Sequence, residues 1–291
     1  MSALRRRKVG AGRSVEELAM MRREDTLERL KAKLRADRPV FGFQHNSGSE
    51  SLIEVAGMCG WDFVLIDMEH TAYDLVLVER LLRACELGGI TGLVRVPDHD
   101  PHTISRVLDS GAGGVLVPHV RSADECLAAV RATRYQPDGT RGKSGMCRAS
   151  RWGVEPWGPY AAWAQSGPLL VPIIEDAEAV DVLEDILATP GLEIVAIGAG
   201  DLSQSFREPH LGVRSPRVKD TLRRAIRYGR EHQLSVMTLP APDLSGELVR
   251  ELIDQGVRVV WWGSDISHFT TAIRSALAQV SDWSPTGEAS A

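Results

Sequence analysis

No apolar run in the chain approaches the roughly 20 residues that a membrane-spanning helix needs, so we expect a soluble protein. The opening MSALRRRKVGAGRS is positively charged but has no apolar stretch behind it, which is not the plan of a secretory signal. The four cysteines, Cys59, Cys85, Cys126 and Cys147, form no CxxC pair and have no metal-ligand spacing. They read as free thiols of a reducing cytoplasm. No GxGxxG follows the first predicted strand and no GxxxxGK[ST] occurs anywhere, which removes support for dinucleotide-binding and P-loop readings. Internal repeats and linker-like stretches are also missing.

What is present is an ordinary globular composition, 43% hydrophobic and 25% charged in 291 residues, ample for one large core. The net charge of −5 hides an asymmetry. Residues 1–38 hold 12 Lys/Arg against 6 Asp/Glu, a surplus of six, and leave 22 against 33 for the rest. A body this acidic argues against nucleic acid as the main partner. The basic head mixes its charges from Glu16 onward and reads as a disordered tip followed by a solvated helix.

The stretch 169–203 organises the remainder. Two apolar runs without alternation, one ending at Glu175 and one delivering Asp201, flank a helix-length segment. Such runs are the mark of strands buried on both faces, and a right-handed βαβ connection sets them side by side with both carboxylates at the carboxyl end. Two neighbouring acids repel unless something positive lies between them, and carboxylate oxygens suit hard divalent cations. Taken in order, the chain predicts strands at 40–44, 61–67, 91–96, 114–119, 169–174, 193–198, 234–239 and 257–262, alternating with helices. A stretch over 135–167, rich in Gly, Arg and Trp, reads as a functional loop or lid carrying a short helix. Eight strands close a barrel, so the expectation is an α/β fold: a single (β/α)8 TIM barrel with an N-terminal helical extension. The parts are a basic, partly disordered and helical extension at 1–37, the barrel at 38–280 and a tail at 281–291.

Barrel active sites sit at the carboxyl ends of the strands. Those ends deliver Gln44 and His45, then Asp67, Glu69 and His70, Arg95, His119, Glu175, Asp201, and finally Ser264 and Asp265. Glu175 and Asp201 are the candidate metal ligands. Arg95 has paired donors for a carboxylate or a developing oxyanion, or else pairs with Asp67 or Glu69. His70, with the side-chain type best suited to moving a proton, is the candidate proton carrier, unless it is a satisfied surface histidine. Asp67 reads as a supporting carboxylate, His45 and His119 as loop or wall residues, and Trp261 and Trp262 as packing. Metal, arginine and histidine together describe enolate chemistry on a 2-oxo acid. No lysine ends a strand, which disfavours a Schiff-base aldolase.

The segments LIDMEH (65–70), LVRVP (93–97), VLDSGAGGVLVPHV (107–120), RYQPDGTRGKSG (134–145), PIIEDAEAV (172–180) and IGAGDLS (197–203) occur in this order. In combination they resemble the HpcH/HpaI family of metal-dependent class II pyruvate aldolases. That resemblance implies reversible aldol cleavage to pyruvate and an aldehyde with Mg²⁺, Mn²⁺ or Co²⁺. It also implies a homohexamer, a trimer of dimers, whose last helix is exchanged between neighbours. Residue by residue it implies Glu175 and Asp201 as metal ligands, His70 as acid/base and Arg95 as substrate-binding. Asp109 would be the carboxylate paired with that histidine, Asp67 and Glu69 acids near the metal's waters, and Gly200 and Asp201 a backbone edge for the oxo acid. The chain departs from the family pattern at Ile173, where many members have Gln, and at Ala199-Gly200, where Pro-Ala is usual. Its 141–152 loop is also one residue shorter. The competing readings are a decarboxylase or carbon–carbon bond-forming enzyme on an acid such as oxaloacetate, and an inactive barrel serving as a binding module.

Overall fold

The computed structural model describes residues 22–280; the expected disordered tip and the tail at 281–291 lie outside them. Eight parallel strands form a closed barrel in sequence order: β1 (Val40–His45), β2 (Phe63–Asp67), β3 (Thr91–Arg95), β4 (Gly114–Val117), β5 (Leu169–Ile174), β6 (Ile194–Ile197), β7 (Ser235–Thr238) and β8 (Val259–Ser264). Closure is made by β1 against β8, with Val40 opposite Val259 and Phe41 opposite Val260. The expectation of a (β/α)8 barrel is therefore met.

Alternation along each strand separates two cores. Phe63, Leu65, Leu93, Leu116, Val171, Ile173, Ala196, Met237 and Trp261 point inward and fill the barrel. Their neighbours, including Val64, Ile66, Val94, Val115, Val117 and Ile174, point outward beneath the helices. At Gly42 a Cβ would lie 2.3 Å from the Phe63 ring, so this position must be glycine for the aromatic to fit. The same phase that points Phe63 and Leu65 inward also points Asp67 inward, one layer higher.

The helices carry the signals expected of them. After α1 (Arg23–Arg35) and α2 (Glu50–Met58), α3 (Leu75–Gly88) is capped by Asp74, which accepts from the Leu77 amide at 2.8 Å, and stops at left-handed Gly89. Asp100 caps α4 (Pro101–Asp109), which has proline at its first position. Next come α5 (Ala123–Thr133) and α6 (Trp157–Ala164). The helix expected after β5 is two pieces, α7 (Ala177–Asp181) and α8 (Leu183–Leu187), broken at Val182. Helices α9 (Ala199–Ser205), α10 (Pro216–His232), α11 (Gly246–Gln255) and α12 (Asp265–Ala278) complete the described residues. None of these helices is long and apolar enough to cross a membrane. All four cysteines are free thiols, as expected.

Helix α1 closes the amino-terminal end of the barrel, burying Leu27 and Leu30 against the interior cluster. Residues 134–168 join α5 to β5 and therefore lie at that same floor. They carry the expected short helix, α6, but the segment is no lid over the mouth of its own chain. Lys31 Nζ meets Glu193 and the Ser166 carbonyl, and the Arg23 guanidinium stacks on Trp163 at 4.9 Å, tying α1 to this segment.

Candidate active site

The topmost inward layer is polar. Asp67, fully buried, accepts Arg95 Nε on Oδ1 at 2.9 Å and Arg95 Nη2 on Oδ2 at 2.8 Å. The same carboxylate accepts Gln44 Nε2 at 2.7 Å and the backbone amides of Glu69 and His70 at 3.1 and 3.4 Å. Arg95 Nη1 lies 3.0 Å from Glu69 Oε2, and its guanidinium stacks over the Trp261 ring at 5.1 Å. Burial works against the Arg95 charge, but Asp67 and Glu69 more than offset it and raise its pKa. Of the two roles open to Arg95, pairing with Asp67 and Glu69 is the one this geometry contains. Trp261 is not only packing, since it forms the wall on which that cation rests.

Glu175 rises from β5 into the same layer, nearly fully buried, and Gly198 makes room for it. A Cβ at Gly198 would sit 2.7 Å from Glu175 Oε2 and 2.8 Å from its Cβ. Burial is the main force pushing the Glu175 carboxyl up to about 7. The His119 amide and ring oppose that rise, while Glu69 and Asp201 add to it. Asp201 stands exposed in the first turn of α9, and Gly200 beside it has nothing within 4 Å of where a Cβ would be.

His119 is the residue that strand-end reasoning undervalued. It follows β4 with a left-handed φ of 51°, and its amide donates to Glu175 Oε1 at 2.8 Å. Its ring Nδ1 lies 3.0 Å from Asp176 Oδ2 and 3.7 Å from Glu175 Oε1, and its Nε2 lies 3.7 Å from Glu69 Oε1. Burial alone would lower its pKa, but Asp176, Glu175 and Glu69 together raise it. Glu69, His119 and Glu175 each bring one donor atom within 4.8 Å of the others, the donor group among the described residues that fits a metal ion. Two carboxylates and an imidazole suit a divalent cation, which would offset the cost of burying the Glu175 charge. Its position at the end of β4 was the only signal in the sequence that could have marked His119.

The other expected residues separate. His70 stands at the mouth, largely exposed, with Nε2 3.7 Å from Glu69 Oε2. Asp109 is not brought to His70 within one chain. Helix α4 begins after β3 and must return to the floor, and there its last residue pairs with buried Arg141 at 2.6 Å. His45 and Asp265 turn away from the mouth and face one another at 2.9 Å in a buried pair. Ser264 caps α12 through the Ser267 amide.

A closed parallel barrel whose strand ends gather an arginine, histidines and carboxylates defines a barrel enzyme with its chemistry at the mouth. The chain belongs to the HpcH/HpaI aldolase/citrate lyase family, whose model matches residues 41–272. It is 33% identical over 259 residues to a hydroxypyruvate/pyruvate aldolase of Sagittula stellata, covering 88% of this chain and 98% of the other. A 4-hydroxy-2-oxovalerate aldolase of Novosphingobium aromaticivorans is 36% identical over 244 residues, covering 81% and 88%. Among solved structures, an HpcH/HpaI aldolase/citrate lyase family protein from Burkholderia cenocepacia J2315 superposes with a TM-score of 0.80. It is 31% identical, covering 87% of this chain and 99% of that one.

Proposed function

We propose that this lyase is a metal-dependent class II aldolase that reversibly cleaves a 4-hydroxy-2-oxo acid to pyruvate and an aldehyde. The observation that carries the reading is the joining of Glu175, Glu69 and His119 to the Asp67–Arg95 pair in one layer at the mouth. Family membership and the names of the relatives above support the same chemistry.

The cation, Mg²⁺, Mn²⁺ or Co²⁺, would be held by Glu175 with Asp201, and Glu69 and His119 stand close enough to take part. When bound it supplies electrostatic stabilisation to the enolate of the oxo acid. Arg95, fixed by Asp67 and Trp261, turns its remaining N–H groups to the substrate. Gly200 and Asp201 offer an open backbone edge for the carboxylate of the oxo acid. His70 takes the proton from the C4 hydroxyl as the C3–C4 bond breaks, returns it in the condensation direction, and with pyruvate alone moves the proton at the methyl carbon. Asp67 and Glu69 hold this arrangement in place. Asp109, at the floor of its own barrel, would reach a His70 only in another subunit.

We read the assembly as a homohexamer, a trimer of dimers. Helix α12 supports this: only Asp265 in it is buried, while Ile266, Phe269, Ile273 and Leu277 form an exposed apolar stripe. The four free thiols support a cytoplasmic location. We keep the division into 1–37, 38–280 and 281–291, with α1 lying in the first part.

The test is proton exchange from pyruvate in D₂O, with and without Mn²⁺, followed as loss of the methyl signal. Metal-dependent exchange is expected, abolished in Glu175→Ala and reduced about 10²–10⁴-fold in His70→Ala. Bound metal without exchange would move the reading to another oxo acid such as oxaloacetate. Neither metal binding nor exchange would leave a binding module.

A further inference from the structure

We propose that His119 is itself a ligand of the cation, through Nε2, and that this imidazole biases the site toward Mn²⁺ and Co²⁺ over Mg²⁺. The inference rests on the metal-dependent reading above and goes beyond it, since that reading needs only carboxylates.

Three features of the geometry carry it. The first is the backbone: a non-glycine residue at φ 51° is held in a costly conformation, and what holds it is the amide bond to Glu175 Oε1 at 2.8 Å. The loop is thus drawn toward the metal-binding carboxylate. The second is the ring's orientation. Asp176 Oδ2, 3.0 Å from Nδ1, also accepts Arg121 Nε at 3.1 Å. A carboxylate already bonded to a cation takes the Nδ1–H, and this assigns the lone pair to Nε2. Metal-binding histidines have this arrangement, in which the far nitrogen donates to an acid that fixes tautomer and direction. The third is where Nε2 points: 3.7 Å from Glu69 Oε1, while one nitrogen of the ring forms with Glu69 and Glu175 a group of donors inside 4.8 Å. Direct hydrogen bonds do not span 3.7 Å, so the ring and Glu69 stand apart by a gap that an ion bridging them would occupy. The ring is half exposed toward the mouth, which leaves a path of entry. Mg²⁺ prefers oxygen and water, whereas imidazole favours the transition metals, which gives the expected selectivity.

The competing role is a positively charged His119 that merely balances its carboxylates. The two separate by spectroscopy on the full chain, stripped of metal and loaded with Mn²⁺. Pulsed electron paramagnetic resonance should show a directly coordinated ¹⁴N in the wild type. His119→Asn keeps a residue tolerant of the left-handed backbone and the amide to Glu175, yet removes the imidazole. It should lose the coupling, still bind Mn²⁺, and show a Mn²⁺/Mg²⁺ affinity ratio about 10–100-fold lower. Asp176→Asn should keep the coupling while weakening Mn²⁺ binding about tenfold. His70→Asn should keep the coupling. Bound Mn²⁺ without ¹⁴N coupling, a coupling that survives His119→Asn, or an unchanged affinity ratio in that variant would each overturn the proposal. Pyruvate exchange in the same samples keeps the two readings apart. Mn²⁺-dependent exchange without coupling sinks the ligand and spares the aldolase, coupling without exchange does the reverse, and absence of Mn²⁺ binding removes both.

Discussion

Asp67 is the hinge of the site at the scale of single residues, because one carboxylate serves a guanidinium, an amide side chain and two backbone N–H groups. Asp67→Asn leaves Arg95 buried with half its compensation removed. Breaking a buried pair in this way costs about 3–5 kcal/mol, so the urea midpoint should fall sharply and aldol turnover with it. Asp67→Asn with an unchanged midpoint would show that Glu69 and Trp261 alone can hold Arg95. Gly198 offers a second test of position. Since a Cβ there would meet Glu175 at 2.7 Å and the interior Ile173 at 3.1 Å, Gly198→Ala should displace the carboxylate and weaken Mn²⁺ binding in a calorimetric titration, at an overpacking cost of about 1–3 kcal/mol in stability. The residues of this layer were legible in the sequence because buried strands run straight into them, as FVLID does into Asp67 and LLVPII into Glu175. His119 was not, because its importance lies in a left-handed turn and in a hydrogen bond to a residue 56 positions away.

Elements show the same division between local and distant causes. Caps and stops such as Asp74, Gly89, Asp100 and Pro101 are local chemistry and were readable. The break between α7 and α8 was not, because Ala179, Leu183 and Ile186 keep a helical spacing straight across Val182. The placement of 134–168 at the floor follows from topology rather than composition: a segment entering a strand lies at the end opposite to one leaving it. The buried His45–Asp265 pair joins the end of β1 to the start of α12, and its acid also accepts from Asn46, Ser47 and Ile266. Burial would raise the Asp265 pKa, but the His45 ring, the Ser47 hydroxyl and the Asn46 amide outweigh it and hold the carboxyl well below its ordinary range. A depressed folded-state value contributes stability that is present above the unfolded pKa, about 3.9, and is lost as pH falls below it. Asp265→Asn should therefore cost about 1–3 kcal/mol at pH 7 and flatten the acid limb of a stability-against-pH curve below about pH 4. A variant with the wild-type acid limb would place the acid sensitivity elsewhere.

At the scale of the whole molecule, the described residues leave an apolar surface exposed on α12 and α2. Phe269 and Leu277 on α12 are 59% and 70% exposed, and Leu52, Val55 and Met58 on α2 are exposed as well. The first turns of α12 hold to the barrel through Asp265 and His268, so this apolar stripe is the face of the helix that a neighbour would cover. Phe269→Glu combined with Ile273→Glu should reduce the sedimenting mass to that of smaller species. If Asp109 serves the His70 of another subunit, pyruvate exchange should fall in parallel. An unchanged mass would remove α12 from the interface. The seam between β1 and β8 has a different consequence, for a chain still being made. Val40 must wait about 220 residues for Val259, so the first strand leaves the ribosome with one edge open and keeps it open through most of synthesis. Unpaired strand edges are templates for other chains. Nascent or prematurely stopped copies ending before β8 are therefore the form of this protein most in need of a chaperone.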